Sequence, residues 1–558
     1  MKIRYIFITA FLLMGSLACE DALNKVPLDA PSDATFFSNA TELELAINGA
    51  YQSLYWRTGG VAYPMMIDNT TDLGFLRSDF SGLQTFSRGA HSAATNAFGQ
   101  TWDQMYTGIG RCNNLLSNME RARAVVSEDF FNRIQAEALF LRSYYYSWLI
   151  ALYGDVPFVE TIPASVEEGE VARTSTTEIV ERLFSDLDIA AQSLPASWGG
   201  SEEGRATSGA AKALKARIAL WNGRYDVAAQ AAREVMDAGT YNLFPDYEKL
   251  FTFEGIRSAE VILDLPHLEG IITTTLPREQ GLRNTQCWSR MVPSQFIVDS
   301  YEAIDGLPID ESPLYDPANP FENRDPRLDA SIIRPGLLFA TYVFETHPDS
   351  VMTTRIIDGT ASRVDNQDVL NPFATFTGYL WKKYTSEVDL PQNRVNSQLN
   401  FILMRYAEVL LTYAEAKIEA GDIDASVLEA INEVRQRAYS GGDFPAISTT
   451  DQDELRDIIR RERKVELADE GFRLIDIRRW GIAEEVMPGT LVGRPKGAYS
   501  LLNATPQLTK TGHPQYDGIL DNYRSVDQRA FLPNRDYLWP IPQKDIDVNG
   551  QLTQNPGY

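Results

Sequence analysis

Cysteine and histidine are scarce in this chain: its 558 residues include three of one and four of the other. Cys19, Cys112 and Cys287 show no CxxC spacing and no even-numbered framework, which excludes a disulfide scaffold. His91, His267, His347 and His513 are scattered without i, i+4 pairing, so a zinc site has no support. A nucleophile elbow, a P-loop, a zincin motif and a twelve-residue calcium loop are also missing. Gly108-Ile109-Gly110 lies in a helical pattern and lacks the preceding strand that a dinucleotide site needs. No catalytic residue, metal or cofactor is expected. Basic charge is short as well, with 51 Lys and Arg against 76 Asp and Glu and a formal net charge of −25. That balance repels phosphate backbones and anionic headgroups, which argues against nucleic acid or a polybasic membrane contact and favours a neutral ligand.

The chain is 44% hydrophobic and 23% charged, enough to bury a large core. Residues 136–160, AEALFLRSYYYSWLIALYGDVPFVE, form a helix apolar on every side that stops at Gly154, Asp155 and Pro157. Glu137, Arg142 and Ser147 lie inside it and three tyrosine hydroxyls need partners, so it reads as a central core helix, not a membrane span.

Residues 1–18 read as an export signal: Lys2 and Arg4 begin it, an apolar run follows, and Gly15-Ser16-Leu17-Ala18 leads to Cys19. A cysteine after small residues at such a place looks like a lipobox whose cysteine is diacylated, anchoring the protein without spanning the bilayer. Residues 19–40 then form a lipidated tether. A helical region is expected over 41–237, beginning with a helix at about 41–56 and interrupted at 57–100 by an irregular, glycine-rich excursion lying outside the core. Long excursions of this kind are usually functional. Ser175 and Glu178 make a capping box for a further helix.

Helical hairpins follow at 207–236, turning at Asn222-Gly223, and at 402–438, turning at Gly421-Asp422. Small residues along them permit the close approach typical of tetratricopeptide pairs. A second region is expected over 238–558, with a short strand at 260–265, loop-rich 270–400 and helical 401–481. Asp451 and Glu454 cap a helix over 455–480, where interleaved arginines and carboxylates are expected to pair in place. The tail at 537–558 should lie extended against the body. The predicted fold class is therefore mainly α: tetratricopeptide-like hairpins as scaffold, and a loop-rich part with minor β structure.

Several stretches, in order, carry a resemblance: Cys19-Glu20-Asp21, the segment LRSYYYSWLIALYGDVPFV, ATSGAAKALKARIALWNGRYDVA, MVPSQFIVDSYEAIDG, Asp325-Pro326-Arg327-Leu328, RYAEVLLTYAEAKIEAG, RRERKVELADEGFRLIDIRRW and WPIPQKDIDVNGQLTQNPGY. Together they make the chain similar to the SusD/RagB family of outer-membrane nutrient-binding lipoproteins over essentially its whole length. The resemblance implies a lipid-anchored protein exposed at the cell surface. It would act as a lid on a SusC-like TonB-dependent transporter barrel and pass it oligosaccharides, or alternatively peptides. A remoter alternative is an all-helical glycoside hydrolase, for which 76 acidic residues supply carboxylate pairs by chance alone.

Recognition of sugars needs flat aromatics for C–H faces and polar groups at the rim. The family places such groups in the excursion after the first helix and in loops just ahead of the MVPSQF-like segment. Here the first holds Tyr63, Asp68, Asn69, Asp72, Phe75, Arg77 and Phe80, and the second Arg283, Asn284, Gln286, Trp288 and Arg290. Trp288 stands out, because the polar run NTQCWSR offers it little local core. Trp288→Ala is accordingly expected to weaken saturable glycan binding, measured by titration; unchanged affinity for every glycan that the wild type binds would remove Trp288 from the site.

Overall fold

The computed structural model describes residues 36–79 and 82–558. Cys19, its lipobox and most of the tether lie outside the described residues, as does Phe80. The central helix runs Glu128–Tyr153, about two turns longer at its start than the apolar run, because Ser127 caps it by accepting from the Phe130 N–H. From Ala136 onward nearly every side chain is buried. The hydroxyls find carbonyls: Tyr145 donates to Ala50 O (2.7 Å) and Tyr153 to Phe98 O (2.6 Å). Among the described residues no helix is long and apolar enough to cross a membrane.

The central helix packs against Asn96–Asn118 on one side and Thr176–Ser193 on the other, the latter capped by Ser175 accepting from Glu178 N–H. Ala40–Gln52, which ends a turn earlier than its sequence pattern, closes over the first of these. The hairpins are Ser208–Trp221 with Tyr225–Asp237, and Tyr406–Ala420 with Ala425–Ala438; they stack through Tyr225–Asp237 and Tyr406–Ala420. Alanines 228, 231 and 232 are buried at that seam, where small side chains let helix axes approach. Ile402 is not part of the second hairpin: Phe401–Arg405 is a strand, paired antiparallel with Val261–Leu265. The other sheets are small, the largest being a four-stranded one built from residues 338–365.

Three expectations are corrected. The 57–100 excursion is not outside the core, since Val61 and most residues from Tyr63 to Leu76 are buried. Its elements, such as the six-residue helix Tyr63–Asp68, are too short to show a period, and their apolar partners come from distant parts of the chain. The helix over 455–480 is two helices, Gln452–Glu466 and Arg473–Arg479. They are separated at Gly471, whose φ is +96° and whose Cβ, if present, would lie 2.3 Å from Pro64 Cβ. The tail is not wholly extended either: it includes a helical turn at Gln543–Val548, and Trp539 is fully buried.

The arginine-rich segment does pair in place. Glu466 accepts from Arg405 (2.7 Å), Arg327 (3.0 Å) and Arg437, and Glu470 from Arg405 (2.6 Å) and Lys383 (2.8 Å). All of these side chains are buried. Burial opposes the charge on Glu466, yet Arg437, Arg405 and Arg327 outweigh it and hold the carboxyl well below the usual range. Removing one partner from such a cluster strands the others in low dielectric. Arg405→Met, of similar length and uncharged, should therefore lower unfolding stability by about 3–5 kcal/mol, read from a urea transition; a loss within error would show that the network carries little of the stability.

Candidate functional site

The strand Gly74–Leu76 pairs with Met291–Pro293, setting Phe75 opposite Val292. Only glycine fits at 74, because a Cβ there would meet Asn69 Oδ1 at 2.2 Å and Val292 O at 2.9 Å. The ladder continues one step, as Arg77 N–H donates to Arg290 O (2.8 Å). The two segments named by the family resemblance are thus joined side by side.

The Trp288 loop is held by its own backbone. Trp288 N–H donates to Arg278 O and Arg290 N–H to Glu279 O, both at 2.6 Å, with Gln286 and Ser289 in left-handed conformation. Glu279 is fully buried and its carboxylate is shared by Arg278 (2.8 Å) and Arg290. Both guanidinium groups lie over the Trp288 ring, with Cζ atoms 3.9 and 4.5 Å from its centroid. The indole remains 37% exposed. Arg77 Nη2 donates to the Trp288 carbonyl (2.8 Å), and its Cζ lies 5.3 Å from the centre of the Phe373 ring.

A third segment completes the surface. Asp368 accepts the backbone N–H groups of Arg283 (2.8 Å) and Asn284 (3.3 Å), and the Asn284 amide bridges to Asp365 O and the Gln367 N–H, each at 2.9 Å. Arg283 Nε donates to Phe373 O (2.9 Å). These contacts seat on the turn of Arg283 and Asn284 a segment with two exposed rings: Phe373, 57% exposed, and Phe376, 40% exposed. Phe376 stacks on buried Phe75, with centroids 5.9 Å apart and planes at 25°. Burial pushes the Asp368 carboxyl up to about 6, the two N–H donors opposing it. Burial, then the neighbouring charges of Arg283 and Arg290, bring Arg77 down to about 10.

The sequence-predicted residues divide in two. Trp288, Arg290, Arg77, Arg283, Asn284 and Gln286 reach or border this surface. Tyr63, Asp68, Asn69, Asp72 and Phe75 do not, being at most 2% exposed; this corrects their expected position facing a ligand. Tyr63 stacks on Trp56 at 4.9 Å. Asp68 accepts the N–H groups of Gly471 and Arg473 (2.8 and 2.9 Å) and Asp72 takes the Arg473 guanidinium through two 2.8 Å bonds. Asn69 accepts from Trp381 Nε1 (2.9 Å) and donates to Asp469 (3.0 Å). Their partners lie some 300 to 400 residues away, so the polar character that suggested ligand contact serves the interior instead.

Sequence reasoning missed Arg278, Phe373, Phe376 and Arg394. The signal for the two phenylalanines was available, since NPFATFTG is as polar and aperiodic as the stretch that drew attention to Trp288. Among the described residues there is no group of three or more His, Cys, Asp or Glu placed to hold a metal. The site's own carboxylates, Glu279 and Asp368, are buried and committed to internal bonds. The arrangement can stack and hydrogen-bond a ligand.

Because Glu279 joins Arg278 to Arg290 beneath the indole, Glu279→Gln should cost on the order of 2–3 kcal/mol and loosen the loop that presents Trp288. Thermal unfolding checks this; unchanged stability would mean that the carboxylate does not organise the loop.

Comparison with known proteins agrees with this architecture. The family model described as "SusD family" matches residues 267–558, and that described as "Starch-binding associating with outer membrane" matches residues 28–220. SusD-like protein P2 of Formosa agariphila is 26% identical, covering 98% of both chains. A SusD-like protein of Bacteroides ovatus is 24% identical over 86% of this chain and 83% of its own length. Among solved structures, a SusD-like carbohydrate binding protein from Bacteroides fragilis superposes with a TM-score of 0.79 at 30% identity, covering 93% of this chain and all of that one. The mainly α fold with small sheets is the one these structures share.

Proposed function

This chain belongs to the SusD family, and on that premise we propose that it captures oligosaccharides at the surface formed by Trp288, Phe373, Phe376 and Arg77. In this reading it is a lipoprotein anchored in the outer membrane through acylated Cys19 and exposed at the cell surface. It delivers its ligand to a partner SusC-like TonB-dependent transporter, on which it sits as a lid.

The observation that carries the reading is the grouping of three exposed rings with guanidinium groups on three loops, backed by buried aromatics and internal bonds. Exposed apolar rings cost solvation unless something covers them, and a sugar's C–H face suits a ring such as Phe376, whose far side is already occupied by Phe75. The B. fragilis structure is itself described as carbohydrate binding, which supports a saccharide over a peptide.

Titrating the purified protein with a panel of oligosaccharides should give saturable binding with no release of reducing ends. Phe376→Ala should weaken it by about fivefold or more, the scale of one lost stacking contact. Release of reducing ends would overturn the reading in favour of an enzyme, and co-purification of peptides with no glycan bound would overturn it in favour of peptide capture.

A further inference from the structure

Arginines gather around these rings. Arg77, Arg278, Arg283, Arg290 and Arg394 all border the surface, and Arg394 is tied to it by donating to Gln286 O (3.1 Å) while its own carbonyl accepts from Arg278 N–H. Arg278 and Arg290 share the Glu279 carboxylate. Among the described residues, Arg77, Arg283 and Arg394 form no ion pair; their hydrogen bonds go to backbone carbonyls. Arg77 Nε is moreover buried with no hydrogen-bond partner.

The acceptors in direct contact with these arginines and their loop are committed, although Asp365, Gln392 and Asn393 are exposed on the neighbouring segments. Both Glu279 oxygens serve arginines, Asp368 takes two backbone N–H groups, and the Asn284 oxygen takes the Gln367 N–H. Asp79, on the neighbouring segment, is turned to Gln84 N–H and the Thr85 hydroxyl. Arg77, Arg283 and Arg394 stay half-buried at the surface without a carboxylate partner, and a guanidinium only donates. A neutral sugar presents hydroxyls that both donate and accept, so its sites need acceptors as well as donors. Guanidinium groups that have no carboxylate partner match a ligand group that only accepts.

We propose that the oligosaccharide taken by this surface is anionic, bearing carboxylate or sulfate groups that Arg77, Arg283 and Arg394 engage while Phe373 and Phe376 stack on the sugar rings. The proposal rests on reading the surface as a glycan site. It reverses the inference of a neutral ligand drawn from the net charge of −25. Screening reconciles the two: at physiological salt, charges beyond about 8 Å contribute little, so the local arginines decide what binds. Guanidinium groups also suit carboxylate and sulfate geometrically, offering two parallel N–H donors.

The test compares three oligosaccharides of equal length by titration calorimetry: an oligogalacturonate carrying carboxylates, a carrageenan fragment carrying sulfates, and a neutral laminari-oligosaccharide. At least one anionic probe should bind about tenfold or more tightly than the neutral one, and which does so tells carboxylate from sulfate. Arg77→Gln and Arg394→Gln should each weaken that binding by about tenfold while Arg77→Lys loses less, and raising the salt should weaken it further. Thermal unfolding confirms that the variants fold; Arg394 lies on an exposed loop, so its substitution provides a clean reading even if Arg77 variants are unstable. Equal or tighter binding of the neutral probe, still lost in Phe376→Ala, would overturn the anionic assignment and leave the glycan site standing. Binding of polyglutamate with none of the three glycans would overturn both.

Discussion

A cluster of buried ion pairs around the end of the Gln452–Glu466 helix is the constraint on which the rest of the molecule depends. Arg405 comes from the strand before one helical hairpin, Arg437 from the end of that hairpin, Arg327 from the loop-rich part and Lys383 from the turn after a short strand. All converge on Glu466 and Glu470. Each charge is costly to bury alone and tolerable only with its partners, so the pieces must arrive together. Arg473, two residues past Gly471, forms a second buried pair with Asp72 and binds Asp68 through its backbone N–H. Burial opposes the Asp72 charge, but Arg473 and Lys464 outweigh it and hold its carboxyl well below the ordinary value.

That second pair makes the candidate site possible. Asp68, Asn69 and Asp72 fasten the 63–76 segment to the interior, and the strand that follows carries Phe75 beneath Phe376 and Arg77 beside Trp288. A rigid rail thus supports a shallow, exposed surface built on loops, where binding residues commonly sit. The same logic explains why Asp68, Asp72, Glu279 and Asp368 are buried while Arg77, Arg283 and Arg394 border the surface. The interior uses carboxylates to satisfy arginines from distant segments, and the surface is left rich in donors.

Much of this was legible from residues alone. The long helices announced themselves through spacing and through caps at Ser175 and Asp451, each of which accepts the N–H three residues on; the Asp451 N–H itself donates to Thr449, not to Glu454 as a full capping box requires. Interleaved charges after Asp451 correctly implied arginines neutralised in place. The 57–100 segment was misread as lying outside the core because a six-residue helix and a three-residue strand carry no period. Asp68, Asn69 and Asp72 were misread for a related reason: a polar residue in a loop has the same appearance whether it faces a ligand or an arginine 400 residues away. Phe373 and Phe376 were overlooked although the argument that singled out Trp288 applied to them equally, since their neighbour Arg77 lies near 300 residues earlier in the chain.

The central claim is that ligand binds on the loops joined by Arg77, Trp288 and Phe376. The direct measurement is backbone hydrogen–deuterium exchange with and without a saturating bound oligosaccharide. The account predicts slowed exchange confined to residues 276–290, 367–378 and 392–398. Protection appearing instead around the roughly 510 Å³ cleft lined by Phe321, Arg334, His347, Arg494 and Tyr499, with those three segments unchanged, would contradict it.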